Sequence, residues 1–500
     1  MHSLPSHEIL NSKSGLFVGV DLGTSGMKAV AVDSNGNVVA RGRASYLTSR
    51  PEVGASEQDP HDWIMALIEI ARQINDSTEN RAWSVIGLSG MLPTLVTLNS
   101  RREVVGSAIT WEDSRAEQEG NEFREAMGAD HLYKQTGQWV DGRYLLPMFA
   151  RICNNDPERA NKSVFVVGAK DYLFYWLTGE LLTDPSTASG YGCYDLHSGK
   201  WDASAIAKAH SISSCNYYLP EVAPSLSSIG LSTEAAKSLG VAAGLPVVLG
   251  AADSVLGALG MGVSSPGEIA YVGGTSTIIL GISPEPFYDP LHRFIITPLS
   301  EPGLWGLEMD LLSTGSSVRW LSEILGMKDE TALMESAKVA DPDEFLIFLP
   351  FLAPGEQGAL WDPLLTGSLF GLHIGSKQSD IAGALINGIL IESRRCIATL
   401  QEIGLKSVSL CVSGGSANNP WFRQQLSNAC KLPIESFSQE LPDRSALGAA
   451  ILAAQSLGID ICAKKSDILA VLPQEDSSGH WETLTKKYQQ KLDLIQTQVI

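Results

Sequence analysis

The chain has 500 residues, 47 of them glycine, with 44% hydrophobic and 18% charged residues and a formal net charge of −20. That length exceeds what one hydrophobic core usually serves, so two domains are expected. An acidic surface repels nucleic acids and anionic membranes, so any phosphate ligand must be gripped by local dipoles and a cation.

Residues 1–14, MHSLPSHEILNSKS, are polar and lack the apolar stretch of a secretory signal, so they read as a flexible tail. The stretch GVDLGTSGMKAV follows. It reads as a strand over 16–20, a turn at Gly23-Thr24-Ser25 and a strand over 27–33. Asn35-Gly36 then marks a hairpin, since both residues accept positive φ. Trp63, Leu67, Ile70 and Ile74 recur at helical spacing. WSVIGLSG returns as a strand, and WEDSRAEQEGNEFREAMG reads as a polar-faced helix. Alternation of strand and helix continues from there, which argues an α/β architecture.

A strand at LPVVLG runs into AADSVLGALGMG, and GEIAYVGGTSTIILGI then echoes LFVGVDLGTSGMKAVAV, each being strand, Gly-Thr-Ser turn, strand. The echo places a boundary near residues 250–260, with one phosphate loop in each half. A long helix is expected from Ser379 or Asp380 to Gly404. SVSLCVSGGSANNPWFRQQLSNA reads as strand, Gly-Gly turn and helix, with Asn419 as N-cap and Pro420 in the first helical position. RSALGAAILAAQSLG is a helix of small residues that lets its backbone approach a neighbour closely.

Several chemistries are excluded by inspection. The one Gly-Lys pair, Gly199-Lys200, precedes Trp201, so no Walker A loop exists, and there is no Rossmann fingerprint, nucleophile elbow or H-E-x-x-H. The cysteines at 153, 193, 215, 396, 411, 430 and 462 form no C-x-x-C and read as reduced thiols in a cytoplasmic compartment. No apolar run approaches the roughly 18 residues of a membrane helix.

What remains fits a nucleotide site between two lobes, each hairpin embracing one end of a triphosphate. Mg²⁺ must then bridge the phosphate oxygens, and Asp21, at the mouth of the first turn, would face that metal, through a water. The plainer alternative is that Asp21 caps its own turn.

GVDLGTSGMKAVAVDSNGNVV, WEDSR, KDYLFYWLTGELLTDPSTASG, GAADSVLGALGMG, GGTSTIILG, WDPLLTGSLFGL and GGSANNPWFRQQLSNA…DRSALGAAILAA together resemble the FGGY family of carbohydrate kinases, over roughly residues 15–458. The phrasing is most similar to xylulokinases. The resemblance implies two actin/hexokinase-like (ribonuclease H-like) α/β domains with a cleft between them that takes ATP, Mg²⁺ and sugar. The domains would be 15–252, with the first phosphate loop and the sugar site, and 253–500, with the catalytic aspartate, second phosphate loop and adenosine site.

By that resemblance Asp253 is the catalytic base and touches the sugar, while its plainer reading is a cap for the helix at Ser254. Gly23, Thr24, Ser25 and Lys28 match the first phosphate loop, and Gly274, Thr275 and Ser276 the second. Gly315, Gly414, Gly415, Ser416 and Asn419 match the adenine and ribose segment, Ser416 standing where members often have glycine. Met91, Trp111, Asp113 and Arg115 match sugar-binding positions. Leu92-Pro93, however, replaces the histidine of xylulokinases, a change able to shift specificity by orders of magnitude. Asn387 and Gln357 likewise replace acidic and basic residues usual at their places.

The expected activity is transfer of the γ-phosphoryl group of ATP to a hydroxyl of a small sugar, first among them a ketopentose such as xylulose. Ribulose, gluconate or a polyol are alternatives, as are a phosphohydrolase or a non-catalytic nucleotide-binding protein of the same superfamily. The resemblance also leaves a homodimer open.

Overall fold

The computed structural model describes residues 15–213, 215–340, 346–353, 358–362, 364–437, 443–461 and 468–498. The tail 1–14, Gln357 and Cys462 lie outside them. The chain forms two compact units: the first comprises the described residues within 1–262, 297–303 and 442–464, the second those within 263–296, 304–441 and 465–500. Relative to a boundary at 252/253, the helix opened by Asp253 and the small-residue helix after 443 both lie with the first unit.

In the first unit, Leu16–Leu22 (β1), Gly26–Val32 (β2) and Val38–Ser45 (β3) form an antiparallel meander. Helix Pro60–Ser77 (α1) follows, burying Trp63, Leu67, Ile70 and Ile74 as their spacing requires. Trp83–Gly90 (β4) returns parallel to β1. Helices Ala169–Thr178 (α2) and Pro185–Ser189 (α3) precede Ser228–Gly230 (β5) and Pro246–Ala252 (β6). The sheet order is β5-β6-β4-β1-β2-β3. Residues 111–116 are irregular and the helix expected there starts at Glu117, because the Asp113 carboxylate bonds the backbone N–H of Ser56 (2.9 Å) and of Arg115 (3.0 Å) instead.

The hairpin expected at Asn35-Gly36 forms between β2 and β3, with a different distribution of backbone angles. Gly36 alone of the Asn-Gly pair takes positive φ (77°). Asp33 builds the turn: its C=O accepts from Gly36 N–H (3.0 Å), and its carboxylate from the N–H groups of Asn35 and Asn37 (2.9 Å each). This is a type I turn closed by a left-handed glycine.

Asp253–Gly260 (α4) leaves the end of β6. In the second unit, Glu268–Gly273 (β7) and Thr277–Ser283 (β8) form an antiparallel hairpin, followed by Ile295–Pro298 (β9) and Trp305–Leu311 (β10). Gly315–Ile324 (α5) and the long Gln378–Glu402 (α6) precede Ser409–Gly414 (β11), Pro420–Cys430 (α7) and Ile434–Phe437 (β12). Helix Arg444–Ser456 (α8), which belongs to the first unit, and strand Ile468–Val471 (β13) of the second follow. The sheet order is β9-β10-β8-β7-β11-β12-β13, with β7 parallel to β11. Each unit thus repeats one plan: a hairpin at the centre, a third antiparallel strand outside its second strand, and a parallel strand beside its first.

The small-residue helix α8 explains its own composition. A Cβ on Gly19 of β1 would lie 1.9 Å from Ala446 O, and one on Gly87 of β4 would lie 2.2 Å from Ala449 O. Within the first unit α8 therefore rides directly on the sheet backbone, an approach only glycine permits.

Cys153 and Cys215 form a disulfide, their Cα atoms 6.5 Å apart, packed on the cluster of Phe149 and Tyr217. The expectation of a wholly reduced set is corrected for this pair; Cys193, Cys396, Cys411 and Cys430 are buried thiols outside any disulfide. Among the described residues no helix is long and apolar enough to cross a membrane.

Candidate active site

Three parallel strands of the first unit end in one row, with Leu22 of β1 opposite Gly90 of β4, and Gly90 opposite Ala252 of β6. One residue beyond that row stand Gly23, Met91 and Asp253. Residues expected in the phosphate loop, the acceptor site and the base thus share one carboxyl-end sheet edge, where open α/β sheets receive ligands. Met91 is buried and its N–H bonds Leu22 O (2.9 Å).

Asp21 lies one step inside the edge, opposite Ser89 on β4, whose hydroxyl donates to Oδ1 at 2.8 Å. Burial pushes the Asp21 carboxyl up; Ser89 and Lys28 pull it down, and Asp443 adds to the rise. A Cβ on Gly23 would lie 3.9 Å from Asp21 Oδ2, so the second oxygen sits at the turn. Lys28, opposite Asp21 on β2, pairs with Asp443 (3.3 Å), which also lies 3.4 Å from Arg43. Lys28 is therefore held rather than simply solvated.

The turn itself is strapped from three sides. Tyr46 donates to Gly23 O, Gln58 Nε2 to Thr24 O (2.7 Å) and Trp111 Nε1 to Thr24 Oγ1 (2.9 Å). Gln58 is in turn oriented by Trp63 Nε1 at 2.9 Å. Ser25 is exposed. Gln58, Tyr46 and Ser89 stand in no motif, and Asp443 opens the DRSALGAAILAA stretch with no role assigned to it there; their roles come from the sheet register and from α8.

Asp113 and Arg115 form a closed ionic cluster. Arg115 Nε bonds both Asp113 oxygens (3.1 and 3.0 Å), Nη1 bonds Glu52 (2.8 Å), and Nη2 bonds Glu57 (2.6 Å) and Asp113 (2.7 Å). All three guanidinium nitrogens serve carboxylates of the protein. These bonds outweigh burial, which alone would lower it, and push the guanidinium still higher. The pair shapes the segment that carries Trp111.

Asp253 is the first residue of α4, partly exposed, with Oδ1 accepting from Ser254 N–H (2.8 Å). Its carbonyl accepts from the Ser445 hydroxyl at the start of α8 (2.9 Å).

In the second unit, the hairpin turn, the start of α5 and the end of β11 converge. Thr275 O accepts from Ser316 N–H and Oγ, both at 3.0 Å. A Cβ on Gly315 would lie 2.1 Å from Gly274 O, and one on Gly414, at φ 98°, would lie 1.7 Å from Gly273 O. Gly274 and Thr275 are exposed, and a Cβ on Gly415 would meet nothing within 4 Å. Gly315 and Gly414 are therefore required by backbone packing, whereas Gly415 borders open space. Ser416 opens a short 3₁₀ turn, and Asn419 caps α7, accepting from Trp421 N–H (2.9 Å) and Phe422 N–H (3.3 Å).

No cluster of three metal-ligating side chains exists among the described residues. Mg²⁺ bound with a nucleotide takes one or two protein carboxylates and draws its remaining ligands from phosphates and water. Asp21, with Oδ2 at the turn, is the carboxylate that fits.

The FGGY family of carbohydrate kinases matches this chain in both its parts, the N-terminal domain over residues 16–260 and the C-terminal domain over 269–457. The chain belongs to that family and is a carbohydrate kinase; kinases of this family use ATP. It is 29% identical to the gluconokinase of Bacillus subtilis (strain 168) over 486 residues, 93% of each chain. It is 28% identical to the xylulose kinase of Escherichia coli (strain K12) over 500 residues, 96% of this chain and 100% of that one. Among solved structures, the xylulose kinase from Rhodospirillum rubrum matches with a TM-score of 0.89 at 25% identity, over 96% of this chain and 99% of that one.

Proposed function

We propose that the protein transfers the γ-phosphoryl group of ATP to a hydroxyl of a ketopentose such as xylulose, with Asp253 as the base. The observation that carries this reading is the common sheet edge of the first unit, with Gly23, Met91 and Asp253 each one residue beyond a single register row. Asp253 takes the acceptor hydroxyl's proton as that oxygen bonds the γ-phosphorus and the bond to the β–γ bridging oxygen breaks, releasing ADP. Asp21 holds Mg²⁺, which when bound neutralises charge on the phosphate oxygens. The turn amides at Thr24 and Ser25, with Lys28, receive phosphate oxygens. In the second unit, Gly274, Thr275 and Ser276 do the same, while Gly415 and Ser416, with Gly315, Gly414 and Asn419 shaping the surround, receive the adenosine.

A second reading is an aldonate acceptor. The gluconokinase likeness favours it. Against it stands Arg115, whose three nitrogens already serve Asp113, Glu52 and Glu57, leaving this cation poorly placed to recruit a substrate carboxylate. ADP release in the presence of xylulose, ribulose, gluconate and polyols tests the choice. Release specific to a pentulose supports the first reading, and release specific to gluconate replaces it with the second. Acceptor-independent release is the outcome for a phosphohydrolase, and none at all for a binding protein.

A further inference from the structure

The strand that delivers Asp253 is irregular. β6 pairs in parallel with β4, but the register shifts between Val248 and Ala251, and Gly250 within the shift takes φ 78°. A Cβ there would lie 1.6 Å from Leu88 O. Such a bulge leaves buried backbone groups without ladder partners, and those groups must be satisfied. Lys170 Nζ donates to Leu249 O (3.0 Å), Gly250 N–H donates to Ser225 O (3.0 Å), and Ala252 N–H donates to Ser186 Oγ (2.8 Å).

The side chains in that set are themselves fixed. Lys170 and Asp184 are fully buried and pair at 3.1 Å, with Asp171 at 3.4 Å from the same ammonium. Asp184 accepts the Ser186 hydroxyl (2.5 Å) and the Ser186 N–H (2.9 Å). The single hydroxyl proton of Ser186 is thereby committed to Asp184, which leaves its oxygen to accept from Ala252, the residue before Asp253. Burying such charges is costly beside an apolar filling, so a role beyond cohesion is expected of them. We infer that the Lys170–Asp184–Ser186 network is a positioning device for Asp253: it holds Leu249 O within the bulge and Ala252 N–H just beyond it and so fixes the direction in which β6 presents that carboxylate. The inference rests on the reading of Asp253 as base.

Ser186→Ala removes the acceptor for Ala252 N–H, and Ser186→Thr restores it. Both are compared with wild type in steady-state kinetics, using whichever of xylulose, ribulose or gluconate gives ADP release. The expected result is a kcat lower by on the order of tenfold to a hundredfold in Ser186→Ala, with KM for ATP unchanged, a preserved melting transition and recovery in Ser186→Thr. An unchanged kcat, a loss shared equally by Ser186→Thr, a rise in KM for ATP in place of the kcat loss, or an unfolded Ser186→Ala protein would each overturn the positioning role. Asp253→Asn serves as the control. Retained turnover in that variant refutes the base assignment and this inference with it, whereas its loss beside a normal Ser186→Ala refutes the positioning role alone.

Discussion

Trp111 Nε1 donates a 2.9 Å hydrogen bond to Thr24 Oγ1, joining the segment expected to meet the acceptor to the turn expected to meet phosphate, both within the first unit. The indole can cover an apolar face while its N–H holds the threonine rotamer. Trp111→Phe keeps the ring and removes the donor. The expected outcome is a fall of several-fold in kcat/KM for ATP, in line with the roughly 1 kcal/mol of one hydrogen bond, with the melting temperature little changed. Steady-state kinetics with ATP varied checks it.

The glycines of the second unit separate packing from ligand contact. Gly414→Ala must push a Cβ into Gly273 O at φ 98°, so a loss of about 2 kcal/mol or more in unfolding free energy is expected. Gly415→Ala has open space and is expected to alter stability by no more than about 0.5 kcal/mol. If Gly415 borders the nucleotide, the same substitution nevertheless weakens ATP binding several-fold. Denaturant unfolding and calorimetry on the two variants distinguish these effects.

Arg115→Met would leave Asp113 buried without its fork. A loss of about 2 kcal/mol or more is expected, seen by denaturant unfolding. Arg115→Lys is expected to recover only part of it, because one ammonium cannot reproduce the three-nitrogen arrangement.

The Asp33 turn gives a pH signature. Slight burial would raise its carboxyl, but bonds from Asn37 and Asn35 outweigh that and hold it below the ordinary carboxylate value of 3.8. A depressed folded value means the contribution is present above 3.8 and is lost as pH falls through the still lower folded value. Asp33→Ala is expected to cost about 0.5–1 kcal/mol at pH 7, a small effect at a mostly solvated turn, and the gap to wild type should close under more acid conditions. Paired unfolding curves across pH measure it.

Much of this organisation was legible in residue order. The Gly-Thr-Ser echo marked the hairpins that the two sheets share, and Asn419-Pro420 marked the start of α7 because capping chemistry is local. The small residues of 444–456 announced close packing, yet not its object: that α8 lies on Gly19 and Gly87 is a contact across some 400 residues, which no local pattern encodes. The hairpin at Asn35-Gly36 was legible, but not that the Asp33 carboxylate would take its backbone N–H groups. The roles of Ser89 and Ser186 were not legible, since a serine acquires its meaning only when the fold brings a carboxylate or a backbone N–H beside it.

The most direct test of the kinase reading is Asp253→Asn, which keeps shape and removes the base. Turnover with the preferred acceptor is followed by ADP release, and nucleotide affinity by calorimetry. The expected result is a fall in kcat of about a hundredfold or more with ATP affinity nearly intact. Turnover close to wild type in that variant would contradict it.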